Sequence, residues 1–121
     1  MLRRMFGGEK NPIPSINPQE AWNHITDATL SSVLIDVRET WEYSNGHARN
    51  AKNIPLSQLQ QRVDEVPGDR EVLLICQSGH RSMQAAKFLQ HQGKTQVVNV
   101  TGGTTVWKMH GLPMGQGKSK H

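Results

Sequence analysis

The chain has 121 residues, enough for one domain with a real core, of which 35% are apolar, with a mean hydropathy of −0.61. That composition suits a soluble protein without a membrane span, and one cysteine excludes an internal disulfide and a cysteine-rich zinc site. The formal charge of +4 sits at the ends, where residues 1–12 hold Arg3, Arg4 and Lys10 against Glu9, and residues 114–121 hold Lys118 and Lys120. The stretch between them is neutral, so a nucleic-acid partner is not expected.

Residues 1–12 and 115–121 read as basic, flexible tails around a domain spanning 13–114. The opening Met-Leu-Arg-Arg-Met-Phe-Gly-Gly-Glu lacks the apolar run of a secretory signal, and Glu9 argues against a transit peptide. With a single cysteine, the expected compartment is the reducing cytoplasm.

Pro12 to Ile16 reads as an entry and a short first strand. Asn17-Pro18-Gln19-Glu20 is a helix start: Asn17 as cap, Pro18 at the first helical position, Glu20 reaching back to the cap. Ala21, Trp22, Ile25 and Ala28 supply the apolar face, and Asp27 to Ser32 is turn material. Val33-Leu-Ile-Asp-Val37 reads as a buried strand interrupted by Asp36. A buried carboxylate needs donors or a charge partner. Asp36 therefore either supports a reactive loop or hydrogen-bonds neighbouring backbone as a turn-former. Glu39 to Asn45 looks like a short helix ended by Gly46, and Arg38 and Glu42, four apart, are expected to form a salt bridge.

His47 reads as a turn histidine bonded to backbone, and the remaining histidines show no metal-ligand spacing, so no metal site is expected. Ala51 to Pro55 reads as an edge strand closed by proline. Ser57 is expected to cap a helix through Leu59 and Val63, before Pro67-Gly68-Asp69 turns the chain. Val72-Leu-Leu-Ile-Cys76 is an unbroken apolar run of strand length, as in a parallel strand covered on both faces. Met83, Ala86 and Leu89 then recur at helical spacing, with Gly93 as the stop. Gln96 to Val100 reads as the last strand, and Gly102-Gly103 as a tight turn into a short helix with Val106 and Trp107 inward, ended by Gly111 and Pro113.

Cys76 thus sits where a strand ends and a helix begins. Backbone N–H groups at such a place lack intrahelical partners and converge on the loop centre, and with the helix dipole they favour an anion. A thiol there ionises below the ordinary value of about 8.5. Gly79 lets the backbone curl. Arg81 adds a fixed positive charge, while Gln77, Ser78 and His80 line the mouth and Ser82 hydrogen-bonds the helix start. Every Asp and Glu lies at or before Glu71, so the half carrying Cys76 is purely basic and favours an anionic substrate where its cations face the loop. The plainer view of Lys87, Lys94 and Lys108 is that they are solvated surface residues.

Strands alternating with helices make an α/β domain with a mainly parallel sheet, in which sites lie outside the carboxyl ends of strands. Three motifs, in order, resemble the rhodanese (sulfurtransferase) family. The first is Cys76-x-x-Gly79-x-Arg81-Ser82 after its apolar strand. The second runs upstream from Leu34-Ile-Asp36-Val-Arg38-Glu39 through Gly46-His47 to Asn53-Ile-Pro55, and the third from Val100-Thr-Gly102-Gly103 through Trp107 to Gly111-Leu-Pro113.

The resemblance implies the single-domain form, with a five-stranded sheet and helices on both faces. It implies an enzyme without cofactor in which Cys76 is the nucleophile and Arg81 its electrostatic partner. Gln77, Ser78, Gly79, His80 and Ser82 would form the substrate cradle, and Asp36 and Arg38 would support it. A sulfane sulfur would pass from a small anionic donor such as thiosulfate, or from a persulfide protein, to a thiol or thioredoxin-like acceptor. Phosphatases and arsenate reductases also use a Cys-loop-Arg arrangement, with a loop one residue longer than the one here. A non-catalytic binding module of the same fold is a further alternative.

Overall fold

Strand β5 (Val72–Ile75) shows why the domain has two cores. Its side chains alternate across the sheet: Val72 and Leu74 enter one apolar cluster, Leu73 and Ile75 the other, and all four are buried. Helix α3 (His80–His91) covers the first face through Ala85, Ala86 and Leu89. On the second face lie helix α1 (Pro18–Ile25) with Ala21, helix α2 (Thr40–Ser44) with Tyr43, and helix α4 (Gly103–Met109) with Trp107. This computed structural model describes residues 11–118. The expected tail before residue 11 and residues 119–121 lie outside it.

Five parallel strands run in the order β1-β6-β5-β2-β4, formed by Ser15–Ile16, Val97–Val100, Val72–Ile75, Val33–Asp36 and Lys52–Asn53. The α/β architecture with helices on both faces is as the sequence led one to expect. β4 lies at the edge, next to Pro55. The chain leaving β2 reaches β4 on one side, and the chain leaving β5 reaches β6 on the other. The carboxyl ends of these neighbouring strands are therefore the point where the strand order reverses, the usual site location in such sheets. Asp36 ends β2, and Cys76 follows β5 directly.

The α1 start forms as read: Asn17 Oδ1 accepts from Glu20 N at 2.8 Å, and Glu20 Oε1 accepts from Asn17 N at 2.9 Å. The helix stops at Ile25, however, so Ala28 is exposed in the turn instead of extending the apolar face. The expected helix from Ser57 is replaced by two 3-10 turns, Leu56–Gln58 and Val63–Glu65. Arg62 leaves helical geometry between them (φ −117°, ψ 20°), and the Ser57 hydroxyl donates to Glu39 Oε2 instead of capping.

Val97–Val100 is not the last strand. β7 (Met114–Gly115) pairs antiparallel with β3 (His47–Ala48) in a separate two-stranded sheet. Gly117 N then donates to Ser44 O at 3.0 Å, so the chain stays attached to the domain past residue 114. The strands of that sheet, His47–Ala48 and Met114–Gly115, stand in no apolar run or alternation by which a strand is read from sequence.

Candidate active site

The loop from Cys76 to Gly79 joins β5 to α3, and Gly79 caps the helix with φ +107°. That conformation suits a residue without Cβ, and it turns the Gly79 N–H onto Cys76 Sγ at 3.1 Å. The Ser82 hydroxyl meets the same sulfur at 3.3 Å. Cys76 is 1% exposed, so its thiol is buried.

Burial pushes the Cys76 thiol up. The Ser82 hydroxyl and the backbone N–H groups of Ser82, Gly79 and Ser78 outweigh it, and the thiol ionises below its ordinary value. The Ser82 hydroxyl has one proton and also donates to Asn99 Oδ1 at 2.6 Å. The thiol then donates to Ser82 Oγ, and the hydroxyl stabilises the thiolate when it turns its proton from Asn99 to sulfur. The N–H groups need no such rearrangement.

Three elements hold the loop. From β6, Asn99 Nδ2 donates to Gly79 O at 3.3 Å. From α4, Thr104 N donates to Cys76 O at 2.8 Å, Thr105 N to Gln77 O at 3.2 Å, and the Thr104 hydroxyl to Cys76 O at 3.1 Å. Gly103 permits this approach, because a Cβ there, at φ +58°, would run into the Cys76 and Gln77 backbone. From the end of β2, Asp36 is fully buried and accepts from Arg38 N at 2.9 Å and from the Arg38 guanidinium through both oxygens. Arg38 Nη2 also donates to Gly46 O, and Nη1 to Gln77 Oε1 at 3.1 Å. Asp36 thus bonds neighbouring backbone and reaches the reactive loop through Arg38. Gln77 completes the chain by donating to Thr105 Oγ1 at 2.8 Å.

The expected Arg38–Glu42 salt bridge is absent. Arg38 precedes α2 and folds back onto Asp36, two residues away. Glu42, on α2, receives Arg81 from the start of α3 in a fork of 2.8 and 3.0 Å. Arg81 is therefore bound to a carboxylate, and its attraction to Cys76 is a lesser interaction than its bond to Glu42. Ser78 and His80 are exposed at the mouth, with Ser78 Oγ and His80 Nδ1 at 3.2 Å. His47 lies away from this chemistry, stacked on Tyr43, with Nδ1 donating to Tyr43 O at 2.8 Å.

Lys94 packs by Gly68, toward the amino end of β5, while Lys87 and Lys108 are exposed on α3 and α4. None of the three makes a hydrogen bond or ion pair with the loop among the described residues. Nor is any group of three His, Cys, Asp or Glu side chains there arranged to hold a metal, and no described helix is long and apolar enough to cross a membrane.

Sequence reading placed Gly103 in a tight turn but not against the loop, and it did not single out Asn99, Thr104, Thr105 or the Glu42–Arg81 pair. Asn99 carried a usable signal: it interrupts an apolar strand as Asp36 does. The pairing of Glu42 with Arg81 spans 39 positions and has no local signature.

Residues 17–110 match the Rhodanese-like domain family. The chain is 39% identical over 86 residues to a sulfurtransferase of Allochromatium vinosum, covering 71% of this chain and 80% of that one. It is 32% identical over 99 residues to the thiosulfate sulfurtransferase GlpE of Actinobacillus pleuropneumoniae, covering 82% and 90%. The chain spans a smaller share, 59% and 51%, of two Bacillus subtilis relatives. A crystal structure of a rhodanese-related protein from Thermoplasma volcanium superimposes with a TM-score of 0.75 at 32% identity, over 84% of this chain and 97% of that one. A sheet in this order, a cysteine loop clamped by the next strand and helix, and these likenesses place the chain in the rhodanese-like domain family.

Proposed function

We propose that this protein is a sulfurtransferase that carries a sulfane sulfur as a persulfide on Cys76. The observation that carries the reading is the Gly79 N–H aimed at Cys76 Sγ at 3.1 Å, in a loop whose thiol is shifted toward thiolate. The thiolate attacks the outer sulfur of thiosulfate or of a persulfide. A new S–S bond forms on Cys76, and the donor's bond to that sulfur breaks, its electron pair leaving with the departing sulfite or thiolate. The transferred sulfur rests against the N–H groups of Ser78 to Ser82, where the start of α3 favours negative charge. An acceptor nucleophile, a small thiol or a thioredoxin-like protein, then takes it and returns the Cys76 thiolate, completing a double displacement. Asp36 and Arg38 position Gln77, and Gln77, Ser78 and His80 line the path to the sulfur. The cycle uses no cofactor, and the cytoplasm, where thiols stay reduced, suits it.

The rival chemistry is phosphate-ester hydrolysis. A bound phosphoryl group needs donors for three oxygens at about 2.7–3.1 Å, whereas a persulfide adds one atom. Here the loop N–H groups close on a single sulfur, and Arg81, which an oxyanion would need, is occupied by Glu42. The test is one preparation assayed with thiosulfate plus cyanide and with p-nitrophenyl phosphate, using Cys76→Ser as control. Cysteine-dependent thiocyanate formation with negligible phosphate release is expected. Cysteine-dependent phosphate release without sulfur transfer would overturn the reading.

A further inference from the structure

Both guanidinium groups that reach the Cys76 loop are neutralised inside the protein. Arg38 is held by the fully buried Asp36, and Arg81 by both oxygens of Glu42. Glu42 is fixed from its other side as well, since Oε1 accepts from Glu39 N at 3.0 Å. The bond from Arg81 holds the Glu42 carboxyl below its ordinary value, so the ion pair persists through the neutral range. The loop side chains Gln77, Ser78 and Ser82 carry no charge, and His80 Nδ1 meets the Ser78 hydroxyl.

We propose that Glu42 is the specificity-determining residue of this site: by cancelling the charge of Arg81 it sets the mouth for persulfide donors, R–S–SH, over thiosulfate. The proposal rests on the sulfurtransferase reading and names the donor class. With thiosulfate, attack by Cys76–S⁻ forms the Cys76 S–S bond and breaks the S–SO₃ bond. Sulfite leaves with the electron pair as a dianion, so three negative charges meet in the transition state. With R–S–SH, attack on the outer sulfur forms Cys76–S–SH and breaks the donor S–S bond. R–S⁻ leaves with the electron pair, the proton stays on the transferred sulfur, and one negative charge is handled throughout. Three charges call for an uncompensated cation at the mouth; one charge is served by the N–H groups already aimed at the sulfur.

The experiment is single-turnover loading of the intact protein from thiosulfate and from 2-hydroxyethyl persulfide. Each rate is divided by that of the same donor with free N-acetylcysteine, which removes intrinsic reactivity. In the wild-type protein the normalised rate for the persulfide is expected to exceed that for thiosulfate by on the order of a hundredfold. Glu42→Gln keeps an oxygen for Arg81 and Glu39 N but removes the charge, and it should narrow that ratio roughly tenfold toward thiosulfate. A bracing role alone would lower both rates and leave the ratio unchanged. An unchanged ratio in a folded Glu42→Gln protein overturns the proposal, as does a wild-type ratio at or below unity, which is decisive even if the variant does not fold. Loading from both donors with thiosulfate ahead would sink this inference alone. Failure of both donors to put sulfur on Cys76 would sink the sulfurtransferase reading itself.

Discussion

At the residue scale, the reactivity of Cys76 is a contest between burial, which holds the thiol protonated, and hydrogen bonds that favour the thiolate. The bonds prevail, so alkylation by iodoacetamide should reach half its plateau rate at a pH below the ordinary thiol value and fall as pH drops through that midpoint. Ser82→Ala removes one of the bonds that lower the pKa and should move the midpoint upward. Sulfur loading near pH 7 should drop roughly tenfold, the equivalent of one hydrogen bond to a charged group. A midpoint unchanged in Ser82→Ala would mean that the hydroxyl stays committed to Asn99 and the N–H groups alone govern the thiolate. Cys76 and Gly79 were legible in the sequence because their meaning is local: a strand ends, a helix starts, and a glycine turns between them. Arg81 was legible in place but not in partner. Its carboxylate lies on another helix, and no spacing rule connects the two.

At the element scale, the loop depends on α4 as much as on α3. The first turn of α4 donates to the Cys76 and Gln77 carbonyls, and Gly103 is the point of contact. Gly103→Ala should destabilise the fold by at least about 1–3 kcal/mol from left-handed strain, with the steric conflict in addition. Thermal unfolding should register this, and loading should fall further than stability predicts because the loop itself is displaced. Trp107 anchors the same helix: it is fully buried, meets Trp22 edge-on at 6.0 Å, and donates to Pro113 O at 2.8 Å. Trp107→Ala should cost about 3–5 kcal/mol, seen as a lower denaturation midpoint. The inward Trp107 could be read from periodicity and from the glycines around it. The docking of α4 on the loop could not, because a helix pattern says which face is apolar and not what its amino end touches. Asp36 and Arg38 were half legible. A polar residue inside an apolar strand announced a partner, but the partner is Arg38 two residues on, and Glu42 serves Arg81.

At the scale of the molecule, two neighbouring parallel strands send the chain in opposite directions, and Asp36 and Cys76 stand at their carboxyl ends. Strand–helix alternation made this architecture readable in advance, since buried parallel strands are continuous apolar runs. The small β3–β7 sheet escaped because His47-Ala48 and Met114-Gly115 stand in no apolar run and pair across more than half of the chain. Its pairing ties residues 114–115 to His47 and Ala48. The central claim remains a covalent one, that the sulfur in transit is bonded to Cys76, and intact mass measures it most directly. Incubation with a sulfane-sulfur donor should add the mass of one sulfur atom, peptide mapping should place it on Cys76, and dithiothreitol should remove it. Cys76→Ser, which has no cysteine left, should gain nothing. Turnover by Cys76→Ser above the buffer rate, or sulfur transfer by a wild-type protein that never acquires the added mass, would contradict the account.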